Sequence, residues 1–410
     1  MRIAFLAQTY PPMVSGASMV MEYLAREMAT RGHEVCVITA SDLGPKYVAE
    51  KPSLRVLRLK SSQNPLRVHQ RYIAWPYRHI FRELSDFQPD IIHMHDPLAF
   101  GLAGILAGKK LRIPMAITAH QLPWFITSYL PPIPWLKSGV ESILWEYCRW
   151  LKTSTQLFIS PSATIATTIE DRIGFRPVVI GNGIDTVRFS PQAGEHEERE
   201  RLCRKYKLDP NRPVILHVGR LDLEKKVDIA IKAAAKAMRN SDAQLLVVGD
   251  GHQRAQLIQL TEWLGIQDRS HFPGFVSANG DLPGLYRLAS VFVTASEIEI
   301  HPLVLLEAMS AEIPIVATRA TSIPEIVRDG VNGYLVPPRD TDAMAQRLVD
   351  VITNPALAKR MGLESRNLAQ HYSLTRFLDQ HEASYVQLAQ HRRAPRRLIP
   401  RKMRKLHNLM

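Results

Sequence analysis

The sequence of 410 residues lacks several features that would assign it to a specialised class of protein. Its three cysteines, Cys36, Cys148 and Cys203, are far apart and show neither Cys-x-x-Cys nor Cys/His spacing. That excludes a disulfide framework and a zinc site built from cysteines, and it favours a reducing cytoplasm. The composition has no low-complexity block and is 46% hydrophobic and 22% charged, as in folded globular proteins.

Long hydrophobic runs are also absent. The longest nearly uncharged apolar stretch, residues 97–108, falls short of the roughly 20 residues that a bilayer-spanning helix needs. Residues 3–7 are apolar, which is too short for the core of a signal peptide and is typical of a first strand. We therefore expect a cytoplasmic protein whose contact with a membrane, at its inner face, is peripheral.

Acidic residues are missing from residues 391–410, although the whole chain carries a formal charge of +13. This basic tail holds eight Lys and Arg side chains, and subtracting these eight leaves +5 for the rest of the chain. Basic clusters interleaved with apolar residues attract anionic lipid. The alternatives are a disordered tail and nucleic-acid binding, but the tail has no aromatic residue for base stacking, so we expect no nucleic-acid partner.

Short apolar strands alternate with amphipathic helices in two series, which predicts two parallel sheets. The first series has strands at 2–7, 34–39, 91–95 and 115–119 with a helix at 17–30, and the second has strands at 214–218, 244–248, 291–294 and 315–317 with a helix at 226–238. Gly181, Asn182 and Gly183 mark a linker between them. Because ligands of such sheets bind at the carboxyl ends of the strands, two facing domains would enclose a cleft.

Seven segments, taken together in order and spacing, resemble glycosyltransferase family 4. They are residues 10–16 (YPPMVSG), 118–120 (TAH), 182–185 (NGID), 219–225 (GRLDLEK), 249–251 (GDG), 296–309 (SEIEIHPLVLLEAM) and 324–337 (PEIVRDGVNGYLVP). The resemblance covers about residues 1–385 and is strongest in the second half.

The resemblance implies an α/β protein with the GT-B fold, in which two Rossmann-like domains face each other across a cleft. We predict an N-terminal acceptor domain at 1–190, a C-terminal nucleotide-sugar donor domain at 191–372, a helix at 373–390 that returns to the first domain, and the tail at 391–410. The co-substrate would be a nucleotide diphosphate sugar, and no cofactor or essential metal is expected.

Residues of the second half would bind the donor. Arg220 and Lys225 follow a strand directly and would supply two cations to the diphosphate leaving group. By resemblance Glu299 holds hydroxyls of the donor sugar, and Glu307, eight residues later, accepts hydrogen bonds from the ribose. The donor set is completed by Gly16, Gly249, Leu303 and Val304. The alternative is that these are solvated loop cations and helix-surface acids.

Three departures from the family pattern leave the sugar open. The usual Gly-Phe-Gly after Glu299 is replaced by Ile300, His301 and Pro302, so a close approach of backbone to ligand cannot be assumed there. Ala320 and Thr321 stand in place of a glycine pair, and Ser15 replaces one glycine before the first helix.

His120 ends a strand and corresponds to the family's histidine near the donor sugar and the acceptor. With Arg220, Lys225 and Glu299 it completes the predicted catalytic set. The family pattern implies retention of the anomeric configuration, by a substitution in which the acceptor hydroxyl enters on the face that the diphosphate leaves. A structural histidine at a strand end is the alternative.

The segment that follows His120 is rich in aromatic and basic residues and would contact the membrane or the acceptor. The candidate residues are Trp124, Phe125, Tyr129, Trp135, Lys137, Trp145 and Arg149. Ser138 and Glu141 form a capping-box pattern that predicts a helix whose apolar face contains Val140, Ile143, Leu144, Tyr147 and Leu151. Such residues suit a bilayer interface, although they could instead pack against the sheet.

The function predicted from the sequence is a retaining transferase that moves a hexose, with UDP-glucose favoured, to a membrane lipid such as diacylglycerol. Lipid-directed members of the resembled family include diacylglycerol glucosyltransferases and phosphatidylinositol mannosyltransferases. The alternatives are a transferase that uses GDP-mannose or another nucleotide sugar on phosphatidylinositol or a polysaccharide intermediate, and a non-catalytic nucleotide-sugar binding module.

Overall fold

The computed structural model describes residues 1–13, 15–64, 70–127, 130–131, 133–191 and 195–393. The strands of the first half are β1 (Arg2–Leu6), β2 (Glu34–Ala40), β3 (Tyr47–Lys51), β4 (Leu54–Leu59), β5 (Ser62–Gln63), β6 (Arg71–Tyr72), β7 (Ile91–Met94), β8 (Met115–Thr118), β9 (Leu157–Ser160) and β10 (Val178–Val179). Its helices are α1 (Gly16–Thr30), α2 (Tyr77–Phe87), α3 (Ala99–Leu111), α4 (Pro123–Thr127), α5 (Pro134–Ser154) and α6 (Ala163–Ile173).

The second half continues the alternation of strands and helices. Its strands are β11 (Val214–Val218), β12 (Gln244–Val248), β13 (Ser270–Gly274), β14 (Val291–Thr294), β15 (Ile315–Thr318) and β16 (Gly333–Val336). Its helices are α7 (Glu195–Tyr206), α8 (Val227–Ala237), α9 (Arg254–Trp263), α10 (Leu282–Leu288), α11 (Leu303–Ser310), α12 (Ile323–Ile326), α13 (Thr341–Ile352), α14 (Pro355–Ala369) and α15 (Leu374–Arg393), with 3₁₀ turns at Leu223–Lys225, Gln267–Arg269 and Gln370–Tyr372.

The two sheets confirm the predicted pair of Rossmann-like domains. The first sheet has the strand order β10-β9-β8-β7-β1-β2-β4-β3, in which only the edge strand β3 is antiparallel to its neighbour, and β5 and β6 form a separate small ribbon. The second has the parallel order β13-β12-β11-β14-β15-β16. Their strand order reverses beside β1 and beside β11, and in such sheets ligands bind outside the carboxyl ends of the strands at that point.

The predicted strands match the observed ones to within a residue or two. Strands β11, β12 and β14 have the predicted bounds, since each is a buried hydrophobic run closed by polar or turn residues. Helix α1 starts at Gly16, one residue before the predicted start, because Ser15 is the N-cap and forms a reciprocal capping box with Ser18.

The start predicted for α5 was wrong. The helix begins at Pro134 rather than after Ser138, because proline at the first helical position has its φ already set and loses no hydrogen bond there. The predicted apolar face was also wrong in part. Ile143 is 69% exposed, whereas Leu151 is buried together with Trp145.

Helix α15 belongs to the core of the first domain. Phe377, Tyr385 and Leu388 are buried among residues of β1, β2 and α1. In the opposite direction, Ile184 and Phe189 pack into the core of the second domain. The predicted domain boundaries at residues 190 and 372 remain predictions. Ile184 and Phe189 lie before residue 190, although they pack into the core of the second domain.

A polar cluster fixes α15 to the end of α1. Glu382 accepts hydrogen bonds from Arg31 at 2.6 Å and from the His33 ring at 2.9 Å, and Asp379 pairs with Arg31 at 2.8 Å. The bond from Arg31 lowers the pKa of Glu382. Because the pKa of Glu382 is lowered in the folded state, its ionised carboxylate stabilises the fold at pH values above the ordinary carboxyl pKa. This stabilisation is lost as the pH falls through the lowered pKa.

We therefore expect Glu382→Gln to lower the free energy of unfolding by about 1 kcal/mol at neutral pH, since the pair is partly exposed. Urea titrations at pH 7 and at pH 3 measure the free energy of unfolding. The difference in this free energy between the variant and the wild type should be smaller at pH 3. Glu262→Gln, at an exposed position of α9, serves as control. A deficit of equal size at both pH values would contradict the role assigned to the ionised carboxylate.

Candidate active site

The loop after β11 carries Arg220 and Lys225, and its backbone is fixed by the neighbouring strand. Gly249, directly after β12, has a φ of +141°, and a Cβ at this position would lie 1.8 Å from the carbonyl oxygen of Gly219. Only glycine permits this approach. The backbone packing therefore explains the glycine, and the predicted contact of Gly249 with the donor stays a prediction.

Both cations of this loop are paired with carboxylates. Arg220 donates hydrogen bonds to Asp222 and Glu224 on its own loop. Lys225 Nζ lies 2.7 Å from Oε1 of Glu299, and the two side chains are 20% and 12% exposed. A diphosphate is a strong acceptor for guanidinium and ammonium groups, so these two residues can hold one at the carboxyl end of β11.

Glu299 lies in the loop after β14 and is held by residues that follow β15. Its backbone amide donates to the Thr321 hydroxyl at 3.0 Å, and its carbonyl oxygen accepts from the Ser322 hydroxyl at 3.0 Å. Thr321 has a φ of +43°, an unusual conformation for a β-branched residue. The hydroxyl at this position, where the family has glycine, therefore anchors the backbone of the predicted sugar-binding residue.

The residues that replace Gly-Phe-Gly contact the first domain. Ile300 packs against the hydrophobic cluster that contains Trp145, and His301 is 6% exposed. The side-chain amide of Asn182 donates to the His301 carbonyl oxygen at 2.8 Å. The ring of His301 also faces Gly181, where a Cβ would lie 3.3 Å from Nε2. The changed loop thus packs against the linker.

Helix α11 places the other predicted donor residues. Its N-cap is Pro302, which provides no side-chain hydrogen bond, so the amides of Leu303 and Val304 stand at an uncapped helix start of the kind that binds phosphate. Glu307 lies one turn further on and is 8% exposed. It accepts from the Tyr286 hydroxyl at 2.7 Å, and burial raises its pKa to about 7.

His120 follows β8 at the carboxyl edge of the first sheet. Its Nε2 lies 2.9 Å from Nδ1 of His95, which follows β7, and the two rings stack with centroids 5.1 Å apart. Burial, with a smaller contribution from His381, lowers the pKa of His120 to about 3. The imidazole is therefore neutral at physiological pH.

Gly16 opens helix α1 at the same edge. Ser15 caps this helix by accepting from the Ser18 amide at 3.1 Å, and a Cβ at Gly16 would meet nothing within 4 Å. Space for a ligand is therefore present in front of the glycine. On the second domain, Leu303 at the start of α11 packs against hydrophobic clusters of both domains.

The aromatic segment divides into buried and exposed parts. Trp145 is 6% exposed, its ring centroid lies 5.9 Å from that of Trp124, and its Nε1 donates to Glu141 at 3.3 Å. The indole of Trp145 therefore packs against α4 in the core of the first domain, and its predicted contact with a membrane or acceptor stays a prediction. Trp124 is half-buried in the same cluster.

The exposed side chains of the segment lie on α5. Trp135 is 75% exposed, Lys137 is partly exposed, and Arg149 pairs with Glu146 on the surface. Of the other predicted residues, the side chain of Phe125 and the whole of Tyr129 lie outside the described residues. So does the basic tail from residue 394.

The structure thus pairs Lys225 with Glu299, holds Arg220 on the same loop as Lys225, and places Leu303, Val304 and Glu307 on the helix that follows Glu299 in the chain. His120 and Gly16 lie on the first domain, and within the described part of the chain no hydrogen bond links His120 to the second domain.

Sequence reasoning missed two groups. One is His95, for which the signal was a His-x-His pattern at the end of the strand beside that of His120. The other is Glu325, which accepts from the Ser162 hydroxyl at 2.6 Å and from the Ala163 amide at 3.0 Å. Burial alone would raise the pKa of Glu325, but these bonds lower it. The carboxylate therefore joins the second domain to the start of α6.

The described ranges contain neither a candidate membrane span nor a candidate metal cluster. No helix there is long and apolar enough to cross a membrane. No group of three or more His, Cys, Asp or Glu side chains in the same ranges could hold a metal ion, and metal independence stays a prediction.

Each half of the chain matches a family model of known proteins. The family model of glycosyltransferase family 4 matches residues 14–188, and that of glycosyl transferases group 1 matches residues 198–368.

Relatives and solved structures match most of the chain. Sulfoquinovosyl transferase SQD2 of Arabidopsis thaliana is 27% identical over 379 residues, which cover 90% of this chain and 70% of that protein. Alpha-monoglucosyldiacylglycerol synthase of Streptococcus pneumoniae is 25% identical over 340 residues, 82% of this chain and 75% of that protein. The structure of sucrose-phosphate synthase from Thermosynechococcus elongatus superimposes with a TM-score of 0.77 at 22% identity, covering 94% of this chain and 98% of that one. With two Rossmann-like sheets and both domain models matched in order, this protein belongs to the glycosyltransferases of family 4 and has the GT-B fold.

Proposed function

We propose that this protein is a retaining hexosyltransferase that uses a nucleotide diphosphate sugar, with UDP-glucose favoured, to glycosylate a membrane lipid such as diacylglycerol. The observation that carries the proposal is the cluster of Arg220, Lys225 and Glu299 beside the uncapped start of α11. Cations and helix amides for a diphosphate, next to a carboxylate for sugar hydroxyls, form the parts of a donor site.

The proposed chemistry follows from these groups. The bond between the anomeric carbon and the diphosphate oxygen breaks while the acceptor hydroxyl oxygen bonds to the same carbon from the same face. Arg220, Lys225 and the amides of α11 stabilise the charge that develops on the leaving diphosphate. The acceptor proton passes to that leaving group, so neutral His120 serves as a hydrogen-bonding group and need not act as a base.

Two observations support the lipid acceptor. One relative is named alpha-monoglucosyldiacylglycerol synthase, which gives both a glucosyl donor and a diacylglycerol acceptor for that protein. In this chain, Trp135 and Ile143 expose 75% and 69% of their surface on α5, in the domain expected to bind the acceptor. Large exposed apolar side chains near basic ones suit a bilayer interface, and we propose peripheral association with the inner face of the cytoplasmic membrane.

Replacing Lys225 with alanine should reduce the turnover of the donor at least 100-fold, the usual scale for removing one group that stabilises a leaving charge. Release of nucleotide diphosphate by the purified protein, measured with UDP-, GDP- and ADP-sugars and lipid acceptors, tests this. Lys226→Gly is the matched control, because it removes a neighbouring lysine whose φ of +50° glycine readily adopts.

An unchanged rate in the Lys225 variant would contradict the assigned role. Binding of a nucleotide, seen as a raised melting temperature, without turnover of any donor would instead support a non-catalytic binding module.

Donor affinity should depend on pH through Glu307. The ionised carboxylate accepts hydrogen bonds from two hydroxyls, whereas the protonated form loses an acceptor, so binding should weaken as the pH falls through the pKa of about 7. From pH 8 to pH 6 we expect the dissociation constant of UDP-glucose to rise about tenfold. Calorimetry measures it, and a nucleotide sugar is the suitable probe because its diphosphate diester does not titrate in this range.

The matched variant for this prediction is Glu307→Gln, which should bind more weakly at pH 8 and show little change between the two pH values. If the wild type binds equally well at pH 6 and pH 8, Glu307 does not bind the ribose as an ionised acceptor.

The exposed side chains of α5 should contribute to membrane binding. We expect Trp135→Ala combined with Ile143→Ala to reduce the partition of the protein onto anionic vesicles at least tenfold, because burying even one of these large apolar side chains stabilises by about 1.5 to 3 kcal/mol and about 1.4 kcal/mol is a factor of ten. Flotation measures the partition. Trp263→Ala is the control, since Trp263 is 78% exposed but lies on α9 of the other domain. Equal losses in both variants would argue against α5 as the contact surface.

A further inference from the structure

Three histidines form a row from the cleft into the interior of the first domain. His120 lies at the cleft, His95 is hydrogen-bonded to it, and the ring centroid of His93 is 4.2 Å from that of His95. His93 and His95 are fully or almost fully buried, at 0% and 3% exposure. The row therefore has one end open to a ligand and one end closed.

The bond between His95 and His120 needs one donor and one acceptor. Burial lowers the pKa of His120 to about 3 and that of His95 well below its usual value, so each ring is neutral and carries a single N–H. Two arrangements are possible: either His120 Nε2 donates to His95 Nδ1, or His95 Nδ1 donates to His120 Nε2. Which of the two is present decides what His120 offers to the cleft.

The surroundings of His95 distinguish the two arrangements. Its Nε2 is buried and has no hydrogen-bond partner in the described part of the chain. If His120 donated, the proton of His95 would sit on this buried Nε2 as an unpaired N–H. If His95 donates, Nε2 carries only an unpaired lone pair, which is the less costly of the two because buried unpaired donors are the rarer case in proteins.

His217 on β11 shows that this protein accommodates such a lone pair. Its Nδ1 lies 3.0 Å from the carbonyl oxygen of Val293, which can only accept, so Nδ1 of His217 must carry the proton. The Nε2 of His217 is buried and unpartnered among the described residues, like that of His95.

We propose that His95 is a positioning residue that donates from Nδ1 to His120 and thereby holds His120 as the Nδ1–H tautomer, with that N–H available to the cleft. His120 then presents a hydrogen-bond donor to an oxygen of the sugar or acceptor, a role that rests on the proposed function. Without such a partner, neutral histidine favours the proton on Nε2. The Nδ1–H tautomer of His120 would therefore be an effect of the hydrogen bond from His95.

His93 contacts a hydroxyl group through each of its ring nitrogens. Its Nδ1 lies 2.6 Å from the buried hydroxyl of Tyr385, and its Nε2 lies 2.8 Å from the Thr118 hydroxyl. A hydroxyl can donate or accept, so these contacts permit either tautomer of His93, whereas the unpartnered Nε2 of His95 distinguishes the tautomers of that ring.

Nitrogen-15 NMR of the full chain labelled at histidine tests the proposal, because protonated and unprotonated ring nitrogens of a neutral imidazole have well-separated shifts. Signals are assigned from single His→Asn variants. At pH 7 we expect Nδ1–H for both His95 and His120. A spectrum in which His120 is the Nε2–H tautomer overturns the proposal.

Two variants of His95 separate positioning from general packing. His95→Asn keeps an amide N–H at the place of Nδ1, whereas His95→Phe keeps the ring volume without a donor. In the Phe variant no donor holds the tautomer, so we expect the Nε2–H form of His120 to appear beside the Nδ1–H form. We also expect kcat for sugar transfer to fall roughly tenfold with KM for the donor unchanged, and the Asn variant should restore the single tautomer and most of kcat.

Loss of activity in both variants with the His120 tautomer unchanged would show a merely structural role and overturn the proposal. The proposed function is tested separately. Absence of turnover with every donor would contradict the transferase function, whereas the NMR measurement of the tautomer would still test the role of His95.

Discussion

The donor side of the cleft depends on the pair between Lys225 and Glu299, because it joins the loops that follow two neighbouring strands at the point where the second sheet reverses its order. Both side chains are largely buried, so removing either one leaves a charge without its partner at a real cost in stability. In the proposed donor site the ammonium group would face the phosphate oxygens while the carboxylate, beside it, would face the sugar. The interaction that holds the two loops together would then also orient the ligand.

Residues that depart from the family pattern support this geometry by other means. Thr321, in place of a glycine, holds the Glu299 amide through its hydroxyl. Ile300 and His301, in place of Gly and Phe, contact the first domain and the linker at Asn182. A glycine-rich loop lets a ligand approach the backbone, whereas these side chains tie the loop to its surroundings. The residues that depart from the family pattern thus hold the loops of the candidate site in place.

The limits of sequence reasoning have physical causes here. The strands at Val214–Val218 and Gln244–Val248 were predicted correctly because each is a buried apolar run with polar ends. The helix containing Trp145 was less predictable, because aromatic residues lie all around it and periodicity alone does not tell which side the sheet covers. The environment of His93 could not be predicted at all, since its partner Tyr385 is 292 residues away along the chain. Roles assigned to single residues from the motifs remain predictions.

The same long-range packing explains why the two halves depend on each other. Helix α15, at the end of the described chain, buries Phe377 and Tyr385 in the first core, while Ile184 and Phe189 enter the second. The two crossing segments run side by side, with the Ile184 amide donating to Tyr372 at 2.8 Å and the Leu374 amide donating back to Ile184 at 2.9 Å. A chain cut at residue 190 would leave each half without buried side chains that complete its core. The histidine row of the first domain would then also lose Tyr385, so its hydrogen bonding requires the whole chain.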